Sequence, residues 1–382
     1  MSGVRLKLGM VGGGEGAFIG AVHRMAAAID GDWQLAAGAF STDPGRNTRS
    51  GEALGLDPAR VYASIDALIA GERALPEGER IDAVAIVTPN FLHAPMAIAA
   101  LEAGFHVLCE KPMAMSVAEA EAIAAAVEAS GREFALAFTY CGYPLIEEAR
   151  ARVANGDLGK VRLVQVEYLQ GWLSQPVDTD GNKQAEWRTD PARAGIGGCL
   201  GDIGTHAFQL AEHVSGLSVK SVSADLTTHV EGRRLDDDVS ALLRFEGGAR
   251  GVLKASQVAA GEENGLRLRI HGERGGLDWA QMEPNTLTLR WLDRPAEIVR
   301  TGGPGMLDAT AALVRTPAGH PEGYIEGFAN LYRAFASAIR GEGDRWFPGV
   351  TDGLRTMRFI EAVIANAGSD QKWTLVIPGE TE

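Results

Sequence analysis

Leu8 to Arg24 reads LGMVGGGEGAFIGAVHR, an apolar run that breaks into clustered glycines and resumes as a helical pattern. Glycine lets a chain leave a strand in a tight turn and bring backbone N–H groups against a pyrophosphate at the positive end of the next helix. Gly12 and Gly14 fit the first two glycines of G-x-G-x-x-G/A, and Ala17 completes the usual spacing. Gly20 completes it instead if the loop carries three additional residues. Phe18 and Ile19 stand in the same loop and join Gly12, Gly14 and Ala17 as candidate dinucleotide-binding residues. Glycine-rich strand ends are common, so the weight of this motif comes from its place at the first strand of an alternating pattern.

That pattern continues outward from the turn. Short β-rich runs at 6–11, 34–40, 83–88, 106–109 and 134–138 alternate with Ala-rich helical ones, which predicts βαβ units around a parallel sheet. In SVAEAEAIAAAVEASG, Ser116 and Glu119 have capping-box spacing and Gly131 stands where a C-terminal cap belongs. Beyond Tyr140 the pattern changes: a helical YPLIEEARARVANGDLG leads into a strand-like VRLVQVEYL. From Val219 to Val299, strand candidates follow one another across Gly-rich turns without helices between them, as in a largely antiparallel sheet. Helical stretches around 325–339 and 354–367 are free to pack on either domain. The predicted fold class is α/β, with an N-terminal Rossmann dinucleotide-binding domain over 1–140. A C-terminal α/β domain over 141–382 carries a large, mostly antiparallel open sheet.

Bulk composition agrees with a two-domain globular protein. The 382 residues exceed what one core usually serves, and 46% apolar with 23% charged residues is a folded composition. A net charge of -14 without clustered Lys and Arg argues against nucleic acid as a partner. The N-terminal apolar run is too short for a signal peptide or a membrane span, so a cytoplasmic protein with no membrane partner is expected. Cys109, Cys141 and Cys199 lie far apart without metal-ligand spacing and read as reduced, mostly buried thiols.

An acid at the end of the second strand would bind the ribose hydroxyls of NAD. Here GAFSTDPGR puts Ser41 at that place, with Arg46 five residues on. A hydroxyl and a guanidinium suit a 2′-phosphate, which Arg binds through two charge-assisted bonds. The cofactor expectation is NAD(P), with NADP favoured over NAD. Asp43 and Pro44 also read as turn residues, and Asp43 is an alternative ligand for the ribose.

A second stretch, CLGDIGTHAFQLAEHVSG from Cys199 to Gly216, sets Asp202 and His206 four residues apart where a helix begins. An Asp at a helix start is common for structural reasons alone, because its carboxylate satisfies free N–H groups. A metal site is not expected, since this pair lacks a convincing third ligand. His213, seven residues further along the same face, is assigned to packing or solvent. Asp236, Asp237 and Asp238 read as a solvated turn, with contact to substrate hydroxyls as the alternative, and His320 in TPAGHPEGY is a candidate for a pocket mouth.

With TPNFLH (Thr88–His93), CEKPM (Cys109–Met113) and GDIGTH (Gly201–His206) in this order, the chain resembles the Gfo/Idh/MocA family of oxidoreductases. That family includes glucose–fructose oxidoreductase and inositol dehydrogenases. The resemblance covers essentially the whole chain, and the combination of E-K-P with D-x-x-x-H is specific where either alone is not. It implies that Lys111 contacts substrate and nicotinamide, with Glu110 and Pro112 shaping its turn, and that Asp202 and His206 bind the reacting hydroxyl. It further implies that Thr88, Pro89, Asn90 and His93 lie along the cofactor. Trp187 and Arg188 in EWRTDPARAGIGG become wall residues of the substrate site. Two features depart from the family pattern: the longer glycine loop, and FTYCGYP where many members have an Asn and an Arg. In the latter, Thr139, Tyr140 and Tyr143 reshape the expected substrate pocket.

Alcohol oxidation needs a base for the hydroxyl proton and a nicotinamide placed to take the hydride. An imidazole with an unperturbed pKa of about 6.5 is a natural base near neutrality, which points to His206. Asp202, one helical turn away, orients substrate and stabilises the charged imidazole, and Lys111 polarises the oxygen that gains charge. Tyr140, Trp172, Arg188, Lys111, Asp202 and His206 make up the expected substrate site, with Trp172 and Trp187 able to stack on a sugar ring. The expected function is an NAD(P)-dependent dehydrogenase acting on a ring hydroxyl of a sugar, glycoside or cyclitol, the substrate class coming from the resemblance. The alternatives are a glycoside-cleaving enzyme that uses tightly bound NAD in transient oxidation and elimination, and a non-catalytic nucleotide sensor on the same fold. An open sheet leaves a face to cover, so a homodimer or homotetramer is expected.

Overall fold

The computed structural model describes residues 4–177, 183–343 and 346–377. Two compact units result, the first holding the chain up to Thr139 together with Ile325–Leu354, the second holding Tyr140–Tyr324 and the chain from Arg355 on.

In the first unit, strands and helices alternate as β1 (Leu6–Gly12), α1 (Phe18–Ile29), β2 (Trp33–Ala39), α2 (Pro44–Ala53), α3 (Ile65–Ala74), β3 (Ala83–Val87), α4 (His93–Glu102), β4 (His106–Cys109), α5 (Val117–Ser130) and β5 (Phe134–Leu136). The five strands form one parallel sheet in the order β2-β1-β3-β4-β5. Every residue of β3 is buried, as expected of a parallel strand covered on both faces. The order reverses between β1 and β3, and in open α/β sheets ligands bind outside the carboxyl ends of the strands at such a switch point. Gly12 ends β1 and Thr88 follows β3 at that edge.

Local signals account for the boundaries of α5. The Ser116 hydroxyl accepts from the Glu119 N–H at 3.2 Å, and Gly131 closes the helix in the left-handed region at φ 61°. The Glu119 carboxylate reaches the N–H of Met115 at 2.9 Å, so the reciprocal bond falls one residue before the cap. The chain bends after Leu136, which ends β5 two residues short of the expected Phe138.

A single cut at residue 140 does not include the return of Ile325–Leu354 to the first unit. Phe328, Leu331, Tyr332 and Phe335 form a buried stripe at helical spacing, and the Phe335 ring stacks on Trp33 at 5.5 Å. The Trp33 indole N–H donates to the Tyr332 carbonyl at 2.9 Å.

In the second unit, α6 (Pro144–Ala154), β6 (Leu163–Leu169), α7 (Lys183–Arg188), α8 (Pro191–Ala194) and α9 (Thr205–Ser215) precede the strands β7 (Val219–Thr227), β8 (Asp238–Phe245), β9 (Arg250–Ser256), β10 (Gly265–His271), β11 (Gly275–Ala280), β12 (Thr286–Trp291) and β13 (Glu297–Arg300). The chain continues through α10 (Asp308–Ala311), α11 (Tyr324–Ile339), α12 (Val350–Ala367) and β14 (Thr374–Leu375). The nine strands of its sheet run β13-β12-β11-β10-β6-β9-β8-β7-β14, antiparallel throughout except for the β6–β9 pair. Leu266, Leu268 and Ile270 of β10 are buried, and Arg267 and Arg269 alternate onto the other face. On the α9 side, Phe208 stacks on Phe359 of α12 at 4.1 Å. Among the described residues, no helix is long and apolar enough to cross a membrane.

Close approach of α1 to the turn after β1 is possible because Gly20 has no side chain. A Cβ there would lie 2.3 Å from the Gly13 carbonyl oxygen, far inside van der Waals contact. Gly20→Ala is therefore expected to destabilise the protein by about 1–3 kcal/mol, read from chemical unfolding; an unchanged midpoint would mean the helix can shift freely.

Candidate active site

The turn after β1 holds Gly12 at φ 81° and Gly13 at φ 68°, a left-handed conformation that a side chain strains. At Gly12 a Cβ would also lie 2.8 Å from the Val87 carbonyl oxygen. The Ala17 N–H donates to the Gly14 carbonyl at 3.0 Å, and the Arg24 guanidinium donates to the Gly13 carbonyl at 2.7 Å. Ala17 occupies the N-cap of α1 and Gly20 makes the close packing, so Gly20 takes the role of the third glycine and the loop is three residues longer. Phe18 is exposed and Ile19 half-buried at the start of α1. Such a side-chain-free cradle at a helix N-terminus fits a dinucleotide.

The remaining cofactor candidates follow the carboxyl ends of neighbouring strands. Ser41 lies after β2, Thr88, Pro89 and Asn90 after β3, and Glu110 and Lys111 after β4. The Ser41 hydroxyl accepts from the Asp43 N–H at 3.1 Å, and Asp43 caps α2 by accepting from the Arg46 N–H at 2.6 Å. α2 is tied to the glycine loop by the Glu15 N–H, which donates to Ser50 at 3.0 Å, and by an exposed Arg49–Glu15 pair at 2.9 Å.

The Lys111 turn is held from two sides. His23 Nε2 lies 2.9 Å from one Glu110 carboxylate oxygen, and the Lys111 N–H donates to the other at 3.0 Å. His23 Nδ1 lies 2.8 Å from the Tyr332 hydroxyl. Burial alone would raise the Glu110 carboxyl, but the His23 hydrogen bond and charge, with Lys111, outweigh it and hold the group below the usual range. On the other side, His93 is fully buried with Nδ1 at 2.8 Å from the Pro112 carbonyl and Nε2 at 2.9 Å from the Thr88 carbonyl. Both nitrogens are thus engaged with backbone, and His93 braces the Thr88 turn against the Lys111 turn. Carbonyl oxygens only accept, so both contacts are hydrogen bonds only in the doubly protonated ring, while burial pulls the His93 pKa down.

In the second unit, Asp202 and His206 come from one continuous helical segment, but its start differs from the expectation. Asp202 does not cap it. The Asp236 carboxylate does, accepting from the N–H groups of Gly198 at 2.6 Å and Leu200 at 2.7 Å. Leu200–Gly204 then form a π turn before α9. An i→i+5 turn takes more residues per revolution than an α turn, so a residue and its fourth successor are more nearly in line. Asp202 is left to accept from Arg188 Nε at 3.2 Å and from the Gln257 amide at 2.9 Å, both on Oδ2. The Arg188 guanidinium lies over the Trp187 ring, 4.2 Å from its centroid.

His206 is buried against aromatic rings, with Tyr140 edge-on at 4.9 Å and Tyr168 at 6.1 Å. The Tyr140 and Tyr168 hydroxyls hydrogen-bond each other, and Asn264 accepts from Tyr168 at 2.7 Å and donates to Tyr140 at 3.3 Å. Gln170 donates to Asn264 at 2.7 Å and accepts from the indole N–H of exposed Trp172 at 3.0 Å. Burial pushes the Tyr140 hydroxyl up and the Asp202 charge adds to it, so Tyr140 stays protonated.

The aspartate run is not a solvated turn. Asp236 is the cap, Asp237 accepts from the N–H groups of His229 and Val230 at 2.8 and 3.0 Å, and Asp238 pairs with Lys254. His213 packs against Glu147, with Nε2 2.5 Å from its carboxylate, and His320 is exposed in a turn with Pro317. All three cysteines are buried and none is in a disulfide. Among the described residues, no group of three His, Cys, Asp or Glu side chains could hold a metal ion. Sequence reasoning missed His23, Tyr332, Gln257 and Asn264. A signal existed for His23, which falls with Gly20, Ala26 and Ala27 on the buried stripe of α1, and for Tyr332, which falls with Phe328, Leu331 and Phe335 on that of α11.

The oxidoreductase family profile described as an NAD-binding Rossmann fold matches residues 6–138, and that of the GFO/IDH/MocA C-terminal domain matches residues 146–278. The chain belongs to the GFO/IDH/MocA oxidoreductase family. Within that family, an inositol dehydrogenase homolog from Azotobacter vinelandii, solved with NAD+, shares 36% identity over 97% of both chains at a TM-score of 0.93. Its complex with NADH and myo-inositol superposes at a TM-score of 0.91. The uncharacterized oxidoreductase YfiI of Bacillus subtilis is 32% identical over 96% of both chains. Levoglucosan dehydrogenase of Pseudarthrobacter phenanthrenivorans is 28% identical over 96% of this chain and 97% of its own. A structure of levoglucosan dehydrogenase with NADH and levoglucosan aligns over 98% of this chain and 99% of its own at a TM-score of 0.82. The GFO/IDH/MocA assignment makes the first unit an NAD-binding domain.

A carboxyl held below its unfolded value contributes stability that is present above that value, about 4.3 for Glu, and is lost as pH falls through the lowered one. Glu110→Gln is therefore expected to be less stable than the parent at neutral pH, with the difference shrinking on acidification. Chemical unfolding at neutral and acidic pH checks this; a gap that widens in acid refutes it.

Proposed function

We propose that this protein is an NAD-dependent dehydrogenase that oxidises a ring hydroxyl of a cyclitol, sugar or glycoside. The observation that carries the reading is the pairing of Asp202 and His206 across one turn, with the carboxylate anchored by Arg188 and Gln257 and the imidazole seated against Tyr140. The myo-inositol and levoglucosan complexes of relatives support the substrate class.

A bound nicotinamide supplies the hydride acceptor. His206 takes the hydroxyl proton, Asp202 holds a substrate hydroxyl and stabilises the imidazolium, and Lys111 donates to the oxygen as charge develops. Arg188 and the Gln170–Trp172 end of the tyrosine network offer hydrogen bonds and an apolar face to a polyol, whose hydroxyls a site of this kind would otherwise leave unpaired. His206→Ala should lower turnover by about 10²–10⁴-fold while leaving NADH affinity intact. The measurement is a binding titration with NADH and NADPH, followed by a nicotinamide-absorbance screen of inositols, aldoses and glycosides. Tight binding without turnover of any polyol would overturn the dehydrogenase reading.

For the cofactor, NAD is the better-supported choice. Ser41 and Arg46 suit a 2′-phosphate, but the exposed Asp43 carboxylate stands at the same turn and favours a ribose diol over a phosphate. The relatives' complexes contain NAD+ or NADH. Asp43→Ser should raise NADPH affinity relative to NADH; an unchanged ratio would place the ribose elsewhere.

Self-association through the open face of the large sheet completes the proposal. Leu242 and Val252 are cross-strand partners there, 51% and 43% exposed, in a face otherwise rich in charge.

A further inference from the structure

Behind Lys111 runs a chain of three buried groups that the proposed reaction does not touch. Tyr332 meets His23 Nδ1 at 2.8 Å, His23 Nε2 meets Glu110 at 2.9 Å, and Glu110 receives the Lys111 N–H at 3.0 Å. His23 is wholly buried, with the Phe328 ring edge-on at 4.9 Å.

The chain is ordered from its carboxylate end. Glu110 is held ionised and only accepts, so His23 carries its proton on Nε2. The Tyr332 hydroxyl, kept protonated by its burial, can donate to His23 Nδ1 or accept from it, so the contact is made in either case. Each polar atom of the chain named here therefore has a partner, and a buried bond of this kind is costly to leave unmade. Both carboxylate oxygens are used, one by the histidine and one by the lysine's own backbone.

We propose that His23, backed by Tyr332, is a positioning residue for Lys111, setting the lysine turn through the Glu110 carboxylate. This rests on the reading of Lys111 as the group that polarises the substrate oxygen. His23 stands three residues after Gly20, so the same helix that packs on the glycine turn also holds the lysine turn. A reacting geometry displaced by about 1 Å loses about 10²-fold in rate, so loosening this turn acts on turnover.

Three variants and their combination test the proposal: His23→Ala, Tyr332→Phe, Lys111→Ala, and His23→Ala with Lys111→Ala. His23→Ala should lower kcat by about 10²-fold with the KM for the polyol nearly unchanged. In the Lys111→Ala background the same substitution should cost nothing more. In the protein without cofactor, the NMR signal of the Lys111 backbone amide should move in His23→Ala, and less in Tyr332→Phe, which removes only a hydroxyl and keeps the packing. An unmoved Lys111 amide, or losses that multiply in the double variant, would overturn the proposal. Wild-type turnover in Lys111→Ala would instead overturn the reading of Lys111, leaving the amide signal to judge His23 alone.

Discussion

The contact between Gly20 and the backbone of Gly13 sets the geometry of the first unit, because it fixes how closely α1 seats on the turn that ends β1. Residues 20, 23, 24 and 27 share one helical face, so that seat also decides where His23 and Arg24 point. Arg24 meets the Gly13 carbonyl and His23 meets Glu110 because the helix is close enough for both. A side chain at position 20 would move the helix outward and loosen the glycine turn and the lysine turn together. The longer loop between Gly14 and Gly20 is compatible with this, since its extra residues run into the start of α1 without entering the contact.

A second regularity spans both units. Turns that carry candidate reactive groups are held by buried polar side chains bonded to backbone. Asp236 caps the segment bearing Asp202 and His206, His93 braces Thr88 and Pro112, and Glu110 takes the Lys111 N–H. Apolar burial is strong but non-directional, whereas a hydrogen bond to a buried backbone group defines a position and is costly to leave unmade. The aromatic seat of His206 works alongside them, with Tyr140 and Tyr168 fixed by their own bonds to each other and to Asn264.

What a linear reading reached was whatever depends on near neighbours in the chain. Alternating apolar runs identified the parallel strands within a residue or two, the 219–299 region read as a sheet, and Ser116 and Gly131 bounded their helix. The ordered motifs placed Lys111, Asp202 and His206 among the groups of interest. Local pattern also marked 325–339 as helical, though not which core its Phe328–Phe335 stripe would join.

The sequence by itself determined the strand and helix periodicity, the need for glycine in the first turn, and the four-residue spacing of the acid and the imidazole, since each is a property of a few consecutive residues. Only the tertiary structure decided which residues serve as partners. It chose Gly20 over Ala17 for the close packing, Asp236 over Asp202 for the helix cap, and Arg188 with Gln257 as the anchors of Asp202. It also brought Tyr332 to His23 across 309 positions of sequence. Gly20 and Ala17 were both sterically small enough, and Asp236 and Asp202 both able to accept from a helix start, so the choice between them rests on distances that exist only once the sheets and helices have packed.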